Sequence, residues 1–287
     1  MRAIPRLSLS CRGFSLVELS IVVAILSVVS ALGLEAAANF VTRTSTSVSR
    51  DRLKVVDDAV ARFFKAYGRL PCPAVRSTVP TNTSYGLEDC TISVLPTDGV
   101  NYTVLYGGGV MVGAVPFRAL NLPMSYSIDG FNSKLNYVVT KNLTTAGGST
   151  TQLGAFASSG GTAAQNGIGG IEVRTGVLAQ PCNTGKCQVV ADPSTSTGAA
   201  YFIFSSGADQ RGAVSSLGAT LNACNVYSSE KRVDTQNCVF GTNSVRTGMS
   251  VSTIGYDVFY DNRYNAGLNL VSYYDDVAVW RAKSQLW

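Results

Sequence analysis

The sequence contains no histidine. This absence excludes Ser-His-Asp and Cys-His catalysis, zinc sites of the HExxH type and proton transfer through imidazole. Charge is also scarce: Lys, Arg, Asp and Glu make up 14% of the chain, and 23 basic residues against 18 acidic ones give a formal net charge of +5. Three of the positive charges belong to Arg2, Arg6 and Arg12, so the rest of the chain lacks the basic footprint of a nucleic-acid-binding protein. We expect no enzymatic activity and no cofactor.

The composition indicates a folded and β-rich body. A chain of 287 residues that is 46% hydrophobic can bury a substantial core. The 28 glycines, together with Ser, Thr and Asn scattered through the second half, are typical of many turns and short strands. We therefore expect a body built mainly from strands.

An uninterrupted apolar segment lies near the N-terminus. From Phe14 to Leu34 the single charged residue is Glu18, and about 20 residues at about 1.5 Å each span the hydrocarbon core of a bilayer. The arginines before the segment place the N-terminus in the cytoplasm by the positive-inside rule and direct the rest of the chain to export. A plain signal anchor is one interpretation of this pattern.

Glu18 sets the segment apart from a plain anchor. A carboxylate one turn inside an apolar helix is costly, so it indicates a function and a partner. The alternative is that Glu18 is tolerated close to the interface by snorkelling.

The run Gly13-Phe14-Ser15-Leu16-Val17-Glu18-Leu19 resembles the class III signal of type IV prepilins and type II secretion pseudopilins. The resemblance implies that a prepilin peptidase cuts after Gly13 and methylates the new N-terminus at Phe14. It also implies that Glu18 pairs with the N-terminal amine of a neighbouring subunit. The implied partners are the peptidase, other pilin or pseudopilin subunits and an inner-membrane assembly platform.

Apolar residues continue at helical spacing beyond the membrane segment, at Val41, Val48, Leu53, Val56, Val60, Phe63, Phe64 and Tyr67. No proline lies between Pro5 and Pro71, so the spacing predicts one helix over 14–67 that ends at Gly68. The predicted organisation is a cleaved leader over 1–13, the helix and a globular head over 68–287. Within the helix, 14–34 stands in the membrane or filament core, and 35–67 is amphipathic.

The head shows candidate strands separated by polar, Gly-rich stretches, at Val110–Val115, Leu135–Thr140, Ile171–Arg174, Ala200–Ser205, Val251–Ile254 and Val277–Trp280. We predict an α+β, pilin-like fold in which the long helix packs on an antiparallel sheet. Residues 144–170 have low complexity and are predicted to form a surface loop. Five segments of the head resemble a recurrent set of prepilin-like proteins with large heads, namely 68–74, 113–123, 129–139, 201–213 and 274–280.

Seven cysteines occur, and Cys11 lies in the leader. A lipoprotein role for Cys11 is disfavoured because the apolar core follows it instead of preceding it. The remaining six allow 15 disulfide connectivities in an oxidising compartment. Short spacing favours the pairs Cys72–Cys90, Cys182–Cys187 and Cys224–Cys238. A structural zinc site is the alternative, although the sequence contains no CxxC pair.

Two acidic features could hold a cation. The run Ser206-Gly207-Ala208-Asp209 resembles a segment near the calcium loop of major pseudopilins, but it offers one carboxylate where calcium prefers six to eight oxygens, so a turn is favoured. The second feature is a group of acidic residues near the C-terminus, Asp257, Asp261, Asp275 and Asp276, which could form a cation site. We favour the alternative that these four are solvated residues at the edge of the fold.

These patterns predict a structural filament subunit, minor rather than major because the head is large. The resemblance of the N-terminal signal implies that this filament is a type IV pilus or a type II secretion filament. We expect a single-pass inner-membrane protein with a periplasmic head that later enters the filament. The alternative is a tip adhesin or a DNA- or ligand-binding minor pilin that uses the 144–170 loop. An enzyme tethered by a signal anchor would need a catalytic cluster, and the sequence offers none.

Overall fold

The computed structural model describes residues 15–92, 94–95, 110–144, 169–176, 187–195, 197–222, 237, 257–261 and 274–286. Its longest element is helix α1, Leu16–Tyr67, with 52 residues. The helix ends where Gly68, at a φ of +65°, donates its N–H to Phe64 O at 2.8 Å. Glycine enters this left-handed conformation without a Cβ penalty, which accounts for the sharp end of the helix.

The chain divides into two compact units, residues 1–44 and residues 45–287. In the first unit the structure describes the N-terminal part of α1. The second unit contains the rest of α1 and all the described strands. Residues 45–67 of the helix therefore belong to the same compact unit as the head.

The described strands form one sheet. They are β1 (Val94–Leu95), β2 (Val110–Ala114), β3 (Asn136–Thr140), β4 (Ile171–Gly176), β5 (Cys187–Ala191), β6 (Ala199–Ser205), β7 (Asp257–Tyr260) and β8 (Val277–Ala282). The order is β1-β2-β3-β6-β4-β5, with β8 paired to β6 and β7 paired to β4. Between these strands every pairing is antiparallel except that of β4 with β7. The predicted α+β fold, a long helix with an antiparallel sheet, is confirmed.

One face of the sheet packs against the outer part of α1. Side chains at i, i+3, i+4 and i+7 form the buried side of the helix, consisting of Leu53, Val56, Val60, Phe63 and Phe64. They meet alternate residues of the central strands, including Tyr137, Val139, Tyr201 and Ile203. Burial of the helical stripe ends at Phe64. Tyr67 was expected to continue it, but its side chain is 65% exposed and rests against the Phe63 ring at 4.4 Å between centroids.

The opposite face of the sheet is buried as well. Its side chains form a second core of Val110, Val112, Val138, Ile171, Val173, Ala191, Ala199, Phe202, Phe204 and Phe259. Phe202 and Phe259 lie 5.1 Å apart between ring centroids. An antiparallel sheet commonly leaves one face to water, whereas β2, β3 and β6 are buried along their whole length. The part of the sheet formed by β2, β3 and β6 is thus buried on both faces.

Candidate functional site

The N-terminal signal lies partly outside the described residues, since both Gly13 and Phe14 fall there. Glu18 is described, and it lies exposed in the first turn of α1. A carboxylate in a first turn is stabilised by the helix dipole by about 0.3–1 kcal/mol. None of the described residues forms a salt bridge with it. Its carboxylate therefore remains accessible to a group from outside the chain.

The helix around Glu18 is apolar on every side. Nine apolar side chains between residues 16 and 28 are 43–85% exposed. Successive residues advance by about 100°, so these side chains cover the whole circumference. A helix that is apolar all round needs cover from lipid or from other protein. Over the residues that the structure describes, no helix has both the length and the apolar character required to cross a membrane.

A partly buried ion pair joins α1 to the last described strand of the sheet. Arg281 of β8 donates from Nε to both carboxylate oxygens of Asp57 at 3.0 Å and from a terminal nitrogen to Oδ2 at 2.5 Å. Tyr201 of β6 donates its hydroxyl to Asp57 Oδ1 at 2.6 Å. Burial, reinforced by the Asp57 charge, raises the pKa of the Tyr201 hydroxyl well above its usual value. The phenol therefore stays protonated and remains a donor, and Asp57 is satisfied from two strands.

A glycine contact joins α1 to the loop that follows β2. Gly130 donates its N–H to Ser49 Oγ at 2.9 Å. A Cβ on Gly130 would lie 2.0 Å from the backbone oxygen of Ser45 and 2.7 Å from its carbonyl carbon. Because those atoms belong to the helix backbone, they cannot move aside. Only glycine permits the loop to approach the helix this closely.

The residue before that glycine organises the same loop. Asp129 accepts the N–H groups of Phe131 and Ser133 at Oδ1, at 2.9 and 2.8 Å, and the Ser205 hydroxyl at Oδ2 at 2.6 Å. Arg52 of α1 donates to the Asp129 carbonyl oxygen at 3.0 Å. Burial raises the pKa of the Asp129 carboxyl in spite of these donors. The segments 129–139 and 201–213, singled out in the sequence, thus meet against α1.

A disulfide closes the segment that follows α1. Cys72 and Cys90, 18 residues apart, are bonded, as the short spacing favoured. Arg69 donates to both oxygens of Glu88 at 2.8 and 2.6 Å, and the Cys72 N–H donates to Glu88 at 3.0 Å. The loop is therefore held at its base by both a covalent bond and an ion pair. Cys182, Cys224, Cys238 and the side chain of Cys187 lie outside the described residues.

The described residues show one group with metal-ligand spacing. Sulfur and oxygen atoms of Cys72, Glu88 and Cys90 lie within 4.8 Å of one another. Because the two sulfurs are bonded to each other, they are not thiolates and cannot serve as zinc ligands. The calcium alternative at Asp209 finds no support either, since its carboxylate pairs with Arg211 at 3.1 Å.

The expectation that Asp275 and Asp276 are solvated edge residues is wrong. Asp275 is fully buried and accepts the Asp209 N–H at 2.9 Å, while Asp276 accepts from Asn237 at 3.0 Å. Both residues precede β8, and their hydrogen bonds hold turns of the head in place. Asp261 accepts the Trp280 indole N–H at 3.1 Å, and the side chain of Asp257 lies outside the described residues.

Lys134 binds the buried side of the loop that the Cys72–Cys90 disulfide closes. Its Nζ donates to the carbonyl oxygens of Arg76 and Thr78 at 2.7 and 2.5 Å and lies 4.9 Å from the Tyr85 ring centroid. A small pocket adjoins it, lined also by Phe117 and Gly86. Because carbonyl oxygens and an aromatic ring surround its amine, Lys134 has a structural role as a hydrogen-bond donor.

Because of Lys134, the free energy of unfolding of the head should vary with pH in the alkaline range. Burial, with the Arg76 charge as a second cause, lowers the pKa of Lys134 from 10.5 to about 8. Between these values the unfolded chain binds more protons than the folded one, so stability rises with pH across that window. We expect the free energy of unfolding to rise by about 1 kcal/mol from pH 7.5 to 9.5. Urea titrations at both values measure it.

Lys134→Met should flatten that rise, whereas Lys141→Met, at an exposed lysine, should preserve it. The pH range stops below 10 because burial raises the pKa of Tyr137 and Tyr201, which reverses the trend at higher pH. A wild-type stability that is constant or falls from pH 7.5 to 9.5 would contradict the assignment.

The N-terminal sequence matches a known family model. The model of the prokaryotic N-terminal methylation motif covers residues 9–34. The match supports a type IV pilin- or pseudopilin-like protein. The motif supports a prepilin-type substrate of a peptidase. The family of proteins that carry this motif is structural. No curated protein and no solved structure matches the chain.

Sequence reasoning missed the groups that join the pilin-like helix to its head. Asp57 carried a weak signal, because it is an acid at the edge of the apolar stripe of α1. Arg281 carried none, since it lies 224 residues away from Asp57 along the chain. Gly130 was included in a recognised segment, but its role depends on a contact with Ser45 that no local pattern reveals.

Proposed function

We propose that the chain is a structural subunit, a minor pilin or pseudopilin, of a type IV pilus or a type II secretion filament. One observation supports this above the others. The methylation motif at residues 9–34 includes the start of a 52-residue helix, and the first turns of this helix present apolar side chains on all sides. Such a helix requires lateral partners, and a filament of parallel helices supplies them.

Processing prepares this helix for assembly. In the proposal a prepilin peptidase cuts after Gly13 and methylates Phe14. Residues 14–34 hold the subunit in the inner membrane, with the N-terminus in the cytoplasm and the head in the periplasm. An inner-membrane assembly platform then transfers the subunit into the filament.

Glu18 sets the register between neighbouring subunits. A carboxylate and an ammonium are each costly in an apolar bundle, and pairing them across two subunits relieves both costs. The exposed position of Glu18 in the first turn is compatible with a partner from another chain. The amine of a neighbouring Phe14 would serve as that partner.

The head suits a minor subunit of the filament better than a major subunit that repeats along it. It has a core on each face of the sheet, an internal disulfide and a partly buried ion pair to α1. These features make residues 45–287 large and self-sufficient in packing, which supports the minor-subunit assignment. The described residues contain no feature that favours a tip adhesin or a DNA-binding role, and residues 145–168 of the proposed adhesive loop lie outside them.

Gly13→Ala tests the processing step. A Cβ at the residue before the cut should block the peptidase, so we expect essentially all of the protein to remain as a precursor that retains residues 1–13. Intact-mass spectrometry of membrane fractions measures this directly. Gly33→Ala is the matched control, because it makes the same change inside α1 and should leave cleavage unchanged. Normal cleavage of the Gly13 variant would refute the proposed processing site.

A further inference from the structure

The two halves of the Cys72–Cys90 disulfide differ in exposure. Cys72 is fully buried in the core that packs against α1, whereas Cys90 is exposed. Thiol–disulfide exchange begins when a sulfur from outside approaches one sulfur of the pair, so its rate depends on which of the two can be reached. In the folded head an external reagent can reach Cys90 and cannot reach Cys72.

The segment around Cys72 is held in place by bonds other than the disulfide. The Pro71 carbonyl oxygen accepts the Tyr137 hydroxyl at 3.1 Å. Ala74 exchanges two backbone hydrogen bonds with Ala114 of β2, both at 2.8 Å. These bonds attach the chain to the sheet on both sides of Cys72. The position of Cys72 therefore does not depend on the covalent bond.

The segment that precedes Cys90 is attached to the same place. Glu88 accepts the Cys72 N–H at 3.0 Å, and Asp89 donates its N–H to the Pro73 carbonyl oxygen at 2.9 Å. Cys90 follows directly, and its Cα lies 5.1 Å from that of Cys72. Because these contacts are not covalent, we expect the two cysteines to stay adjacent when the disulfide is reduced.

The body of the loop also has its own contacts. Lys134 donates to the carbonyl oxygens of Arg76 and Thr78. The rings of Tyr85 and Phe117 lie 5.5 Å apart between centroids. A disulfide stabilises a fold mainly by restricting the unfolded chain, so a loop with these contacts can adopt its conformation before the bond forms. The head can thus be folded while both thiols are still free.

We propose that the folded head exchanges disulfides with an external partner through Cys90, and that Cys72 is the resolving cysteine. The partner supplies an exchangeable disulfide, carried either by a small molecule of the glutathione type or by the active site of a dithiol oxidoreductase. This assignment goes beyond the proposed filament function and does not depend on it.

Two exchange steps close the bond. The Cys90 thiolate attacks one partner sulfur, which forms a mixed disulfide, breaks the partner's S–S bond and releases its other sulfur as a thiolate. The Cys72 thiolate then attacks Cys90 Sγ, which forms the Cys72–Cys90 bond and releases the remaining partner sulfur. The protons lost by the two cysteines pass to the two departing sulfurs. Two protein thiols are oxidised, and one partner disulfide is reduced to two thiols.

Variants that lack one cysteine of the pair test the order of these steps. In Cys72→Ser the mixed disulfide cannot be resolved, so incubation with glutathione disulfide should leave a glutathione adduct on Cys90. In Cys90→Ser the adduct on Cys72 should form at least about tenfold more slowly, because that thiol is buried. Peptide mass spectrometry assigns each adduct to its residue and so separates this pair from the other cysteines.

Two controls isolate the effect of burial. In concentrated guanidinium chloride the two variants should react at similar rates, because unfolding removes the difference in exposure. The wild-type chain needs no substitution. Brief treatment of its folded, oxidised form with reduced glutathione, followed by an acid quench, should yield the mixed disulfide at Cys90 and not at Cys72.

Isolation of Cys72→Ser from the cells that produce it distinguishes the two sources of the disulfide. The adduct on Cys90 has the mass of glutathione if the source is the small molecule, and it contains a second polypeptide if the source is an oxidoreductase. Either adduct supports the proposal. Equal rates at the two cysteines in the folded chain, attack on Cys72 in the wild type, or a Cys72→Ser chain that forms no adduct at Cys90 would overturn it.

Discussion

Glu18→Ala is expected to yield a protein that is cleaved normally but is at least tenfold depleted from filaments. In the proposed processing the substitution leaves the site at Gly13 and Phe14 intact, so cleavage should proceed. In the proposed filament it removes the carboxylate partner of a neighbouring N-terminal amine, which would then be buried without a partner. Burial of a charge in an apolar helical environment costs about 3 kcal/mol, which is a factor of more than 100 in an equilibrium. Quantitative immunoblotting of sheared filaments and membranes measures the ratio.

Two further variants make the test specific. Glu18→Gln keeps the size and hydrogen-bonding capacity of the side chain, so a defect in it as well would identify the charge as the decisive property. Asp51→Ala removes an exposed carboxylate from the same helix outside the N-terminal segment and should not reduce incorporation. Normal incorporation of Glu18→Ala would eliminate the pairing role.

Gly130→Ala should destabilise the second unit by about 3 kcal/mol, because its methyl group would overlap the helix backbone at Ser45. The loop would have to withdraw, which would lengthen the hydrogen bond from Gly130 to Ser49 Oγ. For a unit of this size such a loss corresponds to a decrease in Tm of about 6–12 °C. Thermal unfolding followed by circular dichroism measures it on the full-length protein.

Ser49→Ala separates the overlap from the hydrogen bond. It removes the acceptor of the Gly130 N–H without introducing any atom, so we expect a loss of about 1 kcal/mol. Ser45→Gly in the Gly130→Ala background should not restore stability, because the overlapping atoms belong to the backbone of Ser45 and not to its side chain. Equal Tm values for wild type and Gly130→Ala would show that the loop does not need glycine.

The features that sequence predicted well are those encoded by short-range patterns. A proline-free stretch with apolar residues at helical spacing predicted a helix as far as Tyr67, and the structure places α1 at Leu16–Tyr67. Runs of β-branched and aromatic residues indicated strands that the structure shows as β2, β3, β4, β6 and β8. The predicted strand at Val251–Ile254 lies outside the described residues.

The features that sequence did not predict depend on contacts between distant segments. The second core brings Phe202 against Phe259, and nothing near either residue signals the other. Asp275 and Asp276 were expected at the surface because acids usually stay solvated, yet they are buried by turns from other parts of the chain. Composition indicates how much core exists, but the topology decides which polar residues enter it.

The mature N-terminus of the protein in purified filaments tests the central claim most directly. Intact-mass and N-terminal peptide analysis should find a chain that lacks residues 1–13 and begins with N-methylated Phe14. A filament-bound chain that retains the leader, or one cut elsewhere than after Gly13, would contradict the account.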